Sequence, residues 1–170
     1  MEATLGDTAT RVTIWLAMLG YVLSVVCLLL QFRPGWAFGF YAAGLAAFVL
    51  HAVFAFAAFY DWSHTTAWLE TRDQTYKSTG FDSGHGIYLN YALGVVGLLD
   101  TIRWQFTKEP LHLKSRWAGI CLHCFFLFMI INGGIVFASG MVRWFTTLLL
   151  LGMVGALAFR LIQSRTRNHD

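Results

Sequence analysis

The chain is 170 residues long, 57% hydrophobic and only 12% charged, with a formal net charge of +3. That excludes an ordinary soluble domain, where about a quarter of residues are charged. The mild charge, clustered beside apolar blocks, reports orientation in a bilayer and gives no reason to expect a nucleic-acid partner. The apolar residues run in blocks of roughly 17 to 25, the length that crosses a hydrocarbon core of ~30 Å. With only two prolines to interrupt helices, the sequence predicts an all-α polytopic integral membrane protein in contact with the lipid bilayer, and leaves no room for a separate soluble domain.

Five spans are predicted within a single transmembrane domain over residues 1–170: about 12–30, 36–60, 86–104, 117–138 and 145–161, with an outer loop at 61–85. The first block, Val12–Leu30, follows neither a basic n-region nor a small-residue cleavage site and is expected to stay as a span. It closes at Gln31-Phe32-Arg33-Pro34-Gly35. Aromatic rings (Trp36, Tyr60, Trp62, Tyr88, Trp104, Trp117, Trp144) mark predicted edges, where amphipathic rings favour the headgroup level. The N-terminus, the outer loop and the 139–143 turn carry four cationic residues, Arg11, Arg72, Lys77 and Arg143. The other side carries eight, Arg33, Arg103, Lys108, Lys114, Arg116, Arg160, Arg165 and Arg167. The positive-inside bias then predicts a bacterial cytoplasmic (inner) membrane protein with its N-terminus outside and its C-terminus in the cytoplasm.

In the outer loop, Trp62 to Ser78 lacks Gly and Pro and ends at Thr79-Gly80, which predicts a helix continuing the second span or lying at the membrane surface. Asp73 and Lys77 are spaced i,i+4 in the favourable order. Small residues predict where helices approach: Gly44, Ala47, His51, Ala55 and Ala58 on the second span, and Asn90, Gly94, Gly97 and Thr101 on the third. Gly134 and Ala138 do so on the fourth, and Gly152 and Ala156 on the fifth.

Polar residues inside spans are costly and call for partners. At ~1.5 Å rise per residue, His51, Asn90 and Asn132 fall at similar heights and are expected to form one hydrogen-bonded layer. Asp100 and His123 fall lower, with His123 or Arg103 as the cation for Asp100. The functional reading is a proton or small-solute path. The structural one is interhelical hydrogen bonding at ~0.6 kcal/mol per bond. Both stay open at this point.

A second constellation, Asp61, His64, Glu70, Asp82 and His85, lies at the two ends of the outer loop. Asp61, His64 and His85 together give a donor set suited to Zn²⁺ or Cu²⁺, although their spacing matches no compact metal motif. The bland alternative is a polar cap. Haem is disfavoured, because His64 and His85 are the only histidines at one level and they sit at the water boundary. Three cysteines, Cys27, Cys121 and Cys124, lie in apolar blocks and form no secreted disulfide framework. The Cys121-Leu122-His123-Cys124 spacing resembles that of membrane disulfide oxidoreductases related to vitamin K epoxide reductase. Those proteins carry a further extracytoplasmic cysteine pair that this loop lacks, so a structural thiol pair at a helix interface is the preferred reading.

The strings Asp61-Trp62-Ser63-His64, Glu70-Thr71-Arg72-Asp73-Gln74-Thr75, Thr79-Gly80-Phe81-Asp82 and Gly86-Ile87-Tyr88-Leu89-Asn90-Tyr91 resemble a family of small uncharacterised bacterial multi-pass membrane proteins. The resemblance covers about residues 51–104 and implies a membrane fold but no mechanism. This chain has Ser83-Gly84-His85-Gly86 where that family carries a Trp-Gly-Gly-Gly-like run, which weakens a shared role for His85. Three classes of function follow. The first is a non-catalytic membrane component or accessory subunit that binds a membrane or extracytoplasmic protein through the outer loop. The second is a metal- or haem-dependent redox or enzymatic protein at His64 and His85. The third is a carrier through the His51 and Asp100 layers, which would call for a homo-oligomer.

Overall fold

The computed structural model describes residues 5–110 and 115–166, which are all-helical with no strand among them. The helices are α1 (Leu5–Leu29), α2 (Pro34–Phe59), α3 (His64–Thr79), α4 (Gly86–Thr107), α5 (Arg116–Ile131) and α6 (Gly140–Thr166). A π-helical turn, Asn132–Val136, extends α5.

Local chemistry accounts for the boundaries. At the end of α1 the Phe32 and Gln31 N–H groups turn back to the Cys27 and Leu28 carbonyls at 2.8 and 3.2 Å, the Schellman pattern, with Gln31 in the left-handed region at φ 53°. Pro34 then opens α2, where its missing N–H costs nothing. Ser63 caps α3 by accepting from the Thr66 N–H, and Gly80 (φ 79°) ends it. Ser115 caps α5 in the same way through Ala118. The predicted outer-loop helix is therefore present, shifted by a residue or two.

Among the described residues four helices, not five, are long and apolar enough to cross a membrane: α1, α2, α5 with its π turn, and α6. The predicted third span does form a 22-residue helix, α4, but it is not among them. Asn90, Asp100 and Arg103 lower its hydropathy despite its length.

The helices pack by two different means. Between α1 and α2 the backbones nearly touch: a Cβ added to Gly20 would lie 2.6 Å from Gly44 Cα and 2.8 Å from the Phe40 carbonyl oxygen. Elsewhere aromatic rings fill the space. Tyr21, Tyr41, Trp104, Leu122 and Phe126 form a core joining α1, α2, α4 and α5, with Trp104 5.5 Å from Tyr41 and 5.6 Å from Phe38 between ring centroids. α6 joins this bundle by one side only. Trp15 stacks on Phe145 at 5.5 Å, and the fully buried Thr146 sits where a side chain on Gly134 would be. The predicted small-residue contacts of Gly44, Gly97 and Gly134 are present. That of Gly152 is not, since nothing among the described residues lies within 4 Å of a Cβ placed there.

Candidate functional site

The C-terminal half of α2, the start of α4, the end of α5 with its π turn, and one face of α3 line a cleft of about 1070 Å³. Its apolar walls come mainly from phenylalanines, Phe48, Phe56, Phe59, Phe128 and Phe137, set against the small residues Ala52 and Ala55. α3 contributes Glu70, Gln74 and three threonines. The hydroxyls of Thr71, Thr75 and Thr79 each donate to the carbonyl four residues earlier, at 2.7 Å. The α3 face is thus less polar than its composition implies.

Three predicted intramembrane residues, His51, Asn90 and Asn132, all line this cleft, yet no hydrogen bond joins them. His51 Nδ1 lies 2.9 Å from the Thr10 carbonyl oxygen on α1. A carbonyl can only accept, so Nδ1 carries a proton, and in the neutral ring Nε2 is left as an acceptor. The Asn132 amide nitrogen donates to the Phe128 carbonyl at 2.8 Å, which leaves its Oδ1 open. Asn90 makes no hydrogen bond among the described residues, and it also borders a second, inner cavity of about 80 Å³. The predicted layer is therefore a shared wall and not a network.

The lower pair is also rearranged. Asp100, only 7% exposed, is held by Arg103 of its own helix, with Nη2 and Nε at 2.9 and 3.0 Å from Oδ1. His123 instead shares a 3.0 Å hydrogen bond with the Tyr21 hydroxyl. Of the two cations expected for Asp100, the structure uses Arg103. Tyr41, which borders the inner cavity, is in electrostatic reach of Asp100, but its buried hydroxyl closes no hydrogen bond among the described residues.

Between α2 and α4, His64 at the start of α3 is engaged by phenols: Nδ1 lies 2.9 Å from the Tyr91 hydroxyl, and Nε2 3.4 Å from that of Tyr88. His85 Nδ1 pairs with Ser83 Oγ at 3.0 Å. Asp61 occupies a tight turn at φ 45°. Among the described residues no three His, Cys, Asp or Glu side chains come together in a way that could hold a metal, so Asp61, His64 and His85 do not assemble as a donor set. Asp82 pairs with Arg72 through both carboxylate oxygens; this hydrogen bonding holds the Asp82 carboxyl below the usual range. Burial pushes the Tyr60 phenol up, with Glu70 and Tyr91 adding to the shift.

Cys121 and Cys124 are both exposed free thiols on α5. Sequence reasoning missed the Thr10 carbonyl, the Tyr21 and Tyr41 hydroxyls and the π turn. Only the π turn left a signal, in the run Asn132-Gly133-Gly134 inside an apolar block. No protein-family model matches the chain, and no curated protein or solved structure matches it either.

Proposed function

We propose that the protein is a non-catalytic membrane component that binds a hydrophobic or amphiphilic small molecule in the cleft walled by α2, α3, α4 and α5. The observation that carries this reading is the cleft itself. Its volume of about 1070 Å³ is at the upper end of that of small-molecule sites, which are largely apolar with a few placed polar groups. The phenylalanine walls supply the apolar part, and His51, Asn90 and Asn132 supply the polar groups. A π turn borders the site, as such turns often do where function bends a helix. This replaces the outer loop as the point of recognition, although α3 remains one wall of it.

The experiment is to fill the cleft. Ala55 lines it, and Ala55→Trp would occupy the space with an indole. Binding of a fluorescent hydrophobic probe to the purified protein is expected to weaken at least about tenfold, roughly the 1.4 kcal/mol equivalent, while helical circular dichroism is retained. Undiminished probe binding by a folded Ala55→Trp protein would remove the cleft as the site. A solute path is the second reading, favoured by one feature: Phe48, Asn90 and Met129 border both the cleft and the inner cavity.

A further inference from the structure

The polar groups of the cleft are not a random set, and together they select the ligand's head. Among the described residues only one charged side chain, Glu70, lines the cleft, and it is acidic; no Lys or Arg among them does. A phosphate, sulfate or carboxylate head would therefore meet no counter-charge and one like charge. The two polar residues whose bonding is fixed each keep an open acceptor. His51 donates through Nδ1 to the Thr10 carbonyl, so in the neutral ring Nε2 is the remaining hydrogen-bonding atom and it accepts. Asn132 has committed one amide hydrogen to Phe128, leaving Oδ1 to accept and its second amide hydrogen to donate. Asn90 can donate or accept and has no partner among the described residues. The surroundings are aromatic, with Phe48 beside His51 at 6.4 Å between ring centroids and Phe56, Tyr60 and Phe128 on the same lining.

Resting on the ligand-binding reading above, we propose that the cleft takes a neutral aromatic amphiphile whose head donates a hydroxyl hydrogen bond, a long-chain phenol, and that His51 accepts that hydrogen at Nε2. The alkyl chain lies against the phenylalanine walls, and the ring stacks in the offset or edge-on manner that aromatic pairs favour. An acceptor stripped of water by a bound ligand and left unpaired carries a desolvation cost, and a donating head removes it. An ether of the same shape cannot donate, so the acceptor on His51 would lose its hydration without gaining a partner. The discrimination between the two is therefore set by this residue and not by shape.

The test compares para-decylphenol with its methyl ether, para-decylanisole, on the purified full-length protein in detergent, read by calorimetry. The phenol is expected to bind about tenfold more tightly than the ether, the size of one well-placed hydrogen bond. His51→Phe should bring the phenol down to the ether's affinity and leave the ether unchanged, while Ala55→Trp should weaken both. Equal affinities of phenol and ether for the unaltered protein, both lost in Ala55→Trp, would overturn the proposal and leave the cleft reading standing. Affinities that Ala55→Trp does not touch would overturn both. The phenol-to-ether ratio on the unaltered protein decides the matter even if His51→Phe fails to fold.

Discussion

Helix α2 has two unlike sides. Towards α1 it presents Gly44 opposite Gly20, and the backbones close until no side chain could be added between them. Towards α4 and α5 it presents Ala52 and Ala55, which also carry no bulk, yet there the helices stay apart around a cleft of about 1070 Å³. The difference lies in the partner. A small residue facing another small residue lets helices meet, as lipid-embedded interfaces require. A small residue flanked by Phe48, Phe56 and Phe128 lies in the gap that the rings prop open. The same amino-acid economy on one helix therefore yields a seam on one side and a site on the other.

The comparison breaks most forcefully at the seam. Gly20→Ala would set a methyl 2.6 Å from Gly44 Cα, a contact that only backbone displacement can relieve. The expected loss is about 3 kcal/mol, at the upper end for overpacking, read as a lowered midpoint of thermal unfolding in detergent. The control is Gly152→Ala, whose added methyl meets nothing within 4 Å among the described residues and which should be neutral or slightly stabilising on helix propensity. If both variants unfold alike, the seam is not a close-packed contact.

The core below the cleft gives the next effect. Arg103→Ala would leave the Asp100 carboxylate, 7% exposed, without its cation. Breaking a fully buried pair costs roughly 3–5 kcal/mol. Here about 2 kcal/mol is expected by the same reasoning, because the Arg103 side chain is 24% exposed and water screens part of the pair. Asp100→Asn in the same background should restore much of the loss, since it removes the stranded charge. A double variant no more stable than Arg103→Ala alone would mean that the pair is not what holds this level of the bundle.

The long apolar helices and the surface helix were legible in the sequence because their signals are local. Hydropathy over Val12–Leu30 needs no partner to be read, and Thr79-Gly80 ends α3 by its own backbone geometry. The number of spans was misjudged because block length was weighed above composition at α4, where Asp100 and Arg103 satisfy one another within a single helix. The site was legible only as a set of heights. His51, Asn90 and Asn132 do share a wall, but their bonding depends on the Thr10 and Phe128 carbonyls, backbone groups that leave no trace in residue identity. Asp61, His64 and His85 do not come together among the described residues: Tyr88 and Tyr91, one turn apart, both face His64 and hydrogen-bond its ring.

The smallest expected effect concerns the α3 wall. α3 enters the fold through Asp61 and Trp62, both at positive φ, and is fastened at its far side by Gly84 against Trp68 and by Arg72 on Asp82. Arg72 hydrogen-bonds Asp82 and lowers its folded pKa. The carboxylate's stabilising contribution is therefore complete above the ordinary Asp value of ~3.9 and is lost as pH falls through the lower folded value. Hydrogen exchange over His64–Thr79, corrected for the intrinsic rate, should be flat between about pH 5 and 8 and rise only below about pH 4. Arg72→Ala should bring the acid-level exchange to neutral pH without altering protection in α1 or α2. Both partners are largely solvent-exposed, so the change should be confined to α3 and leave the unfolding midpoint nearly unmoved. Equal protection of α3 in Arg72→Ala and the unaltered protein at neutral pH would show that Gly84 and the Ser63 cap suffice to hold that wall, and that the cleft is as fixed on its α3 side as the seam is on its own.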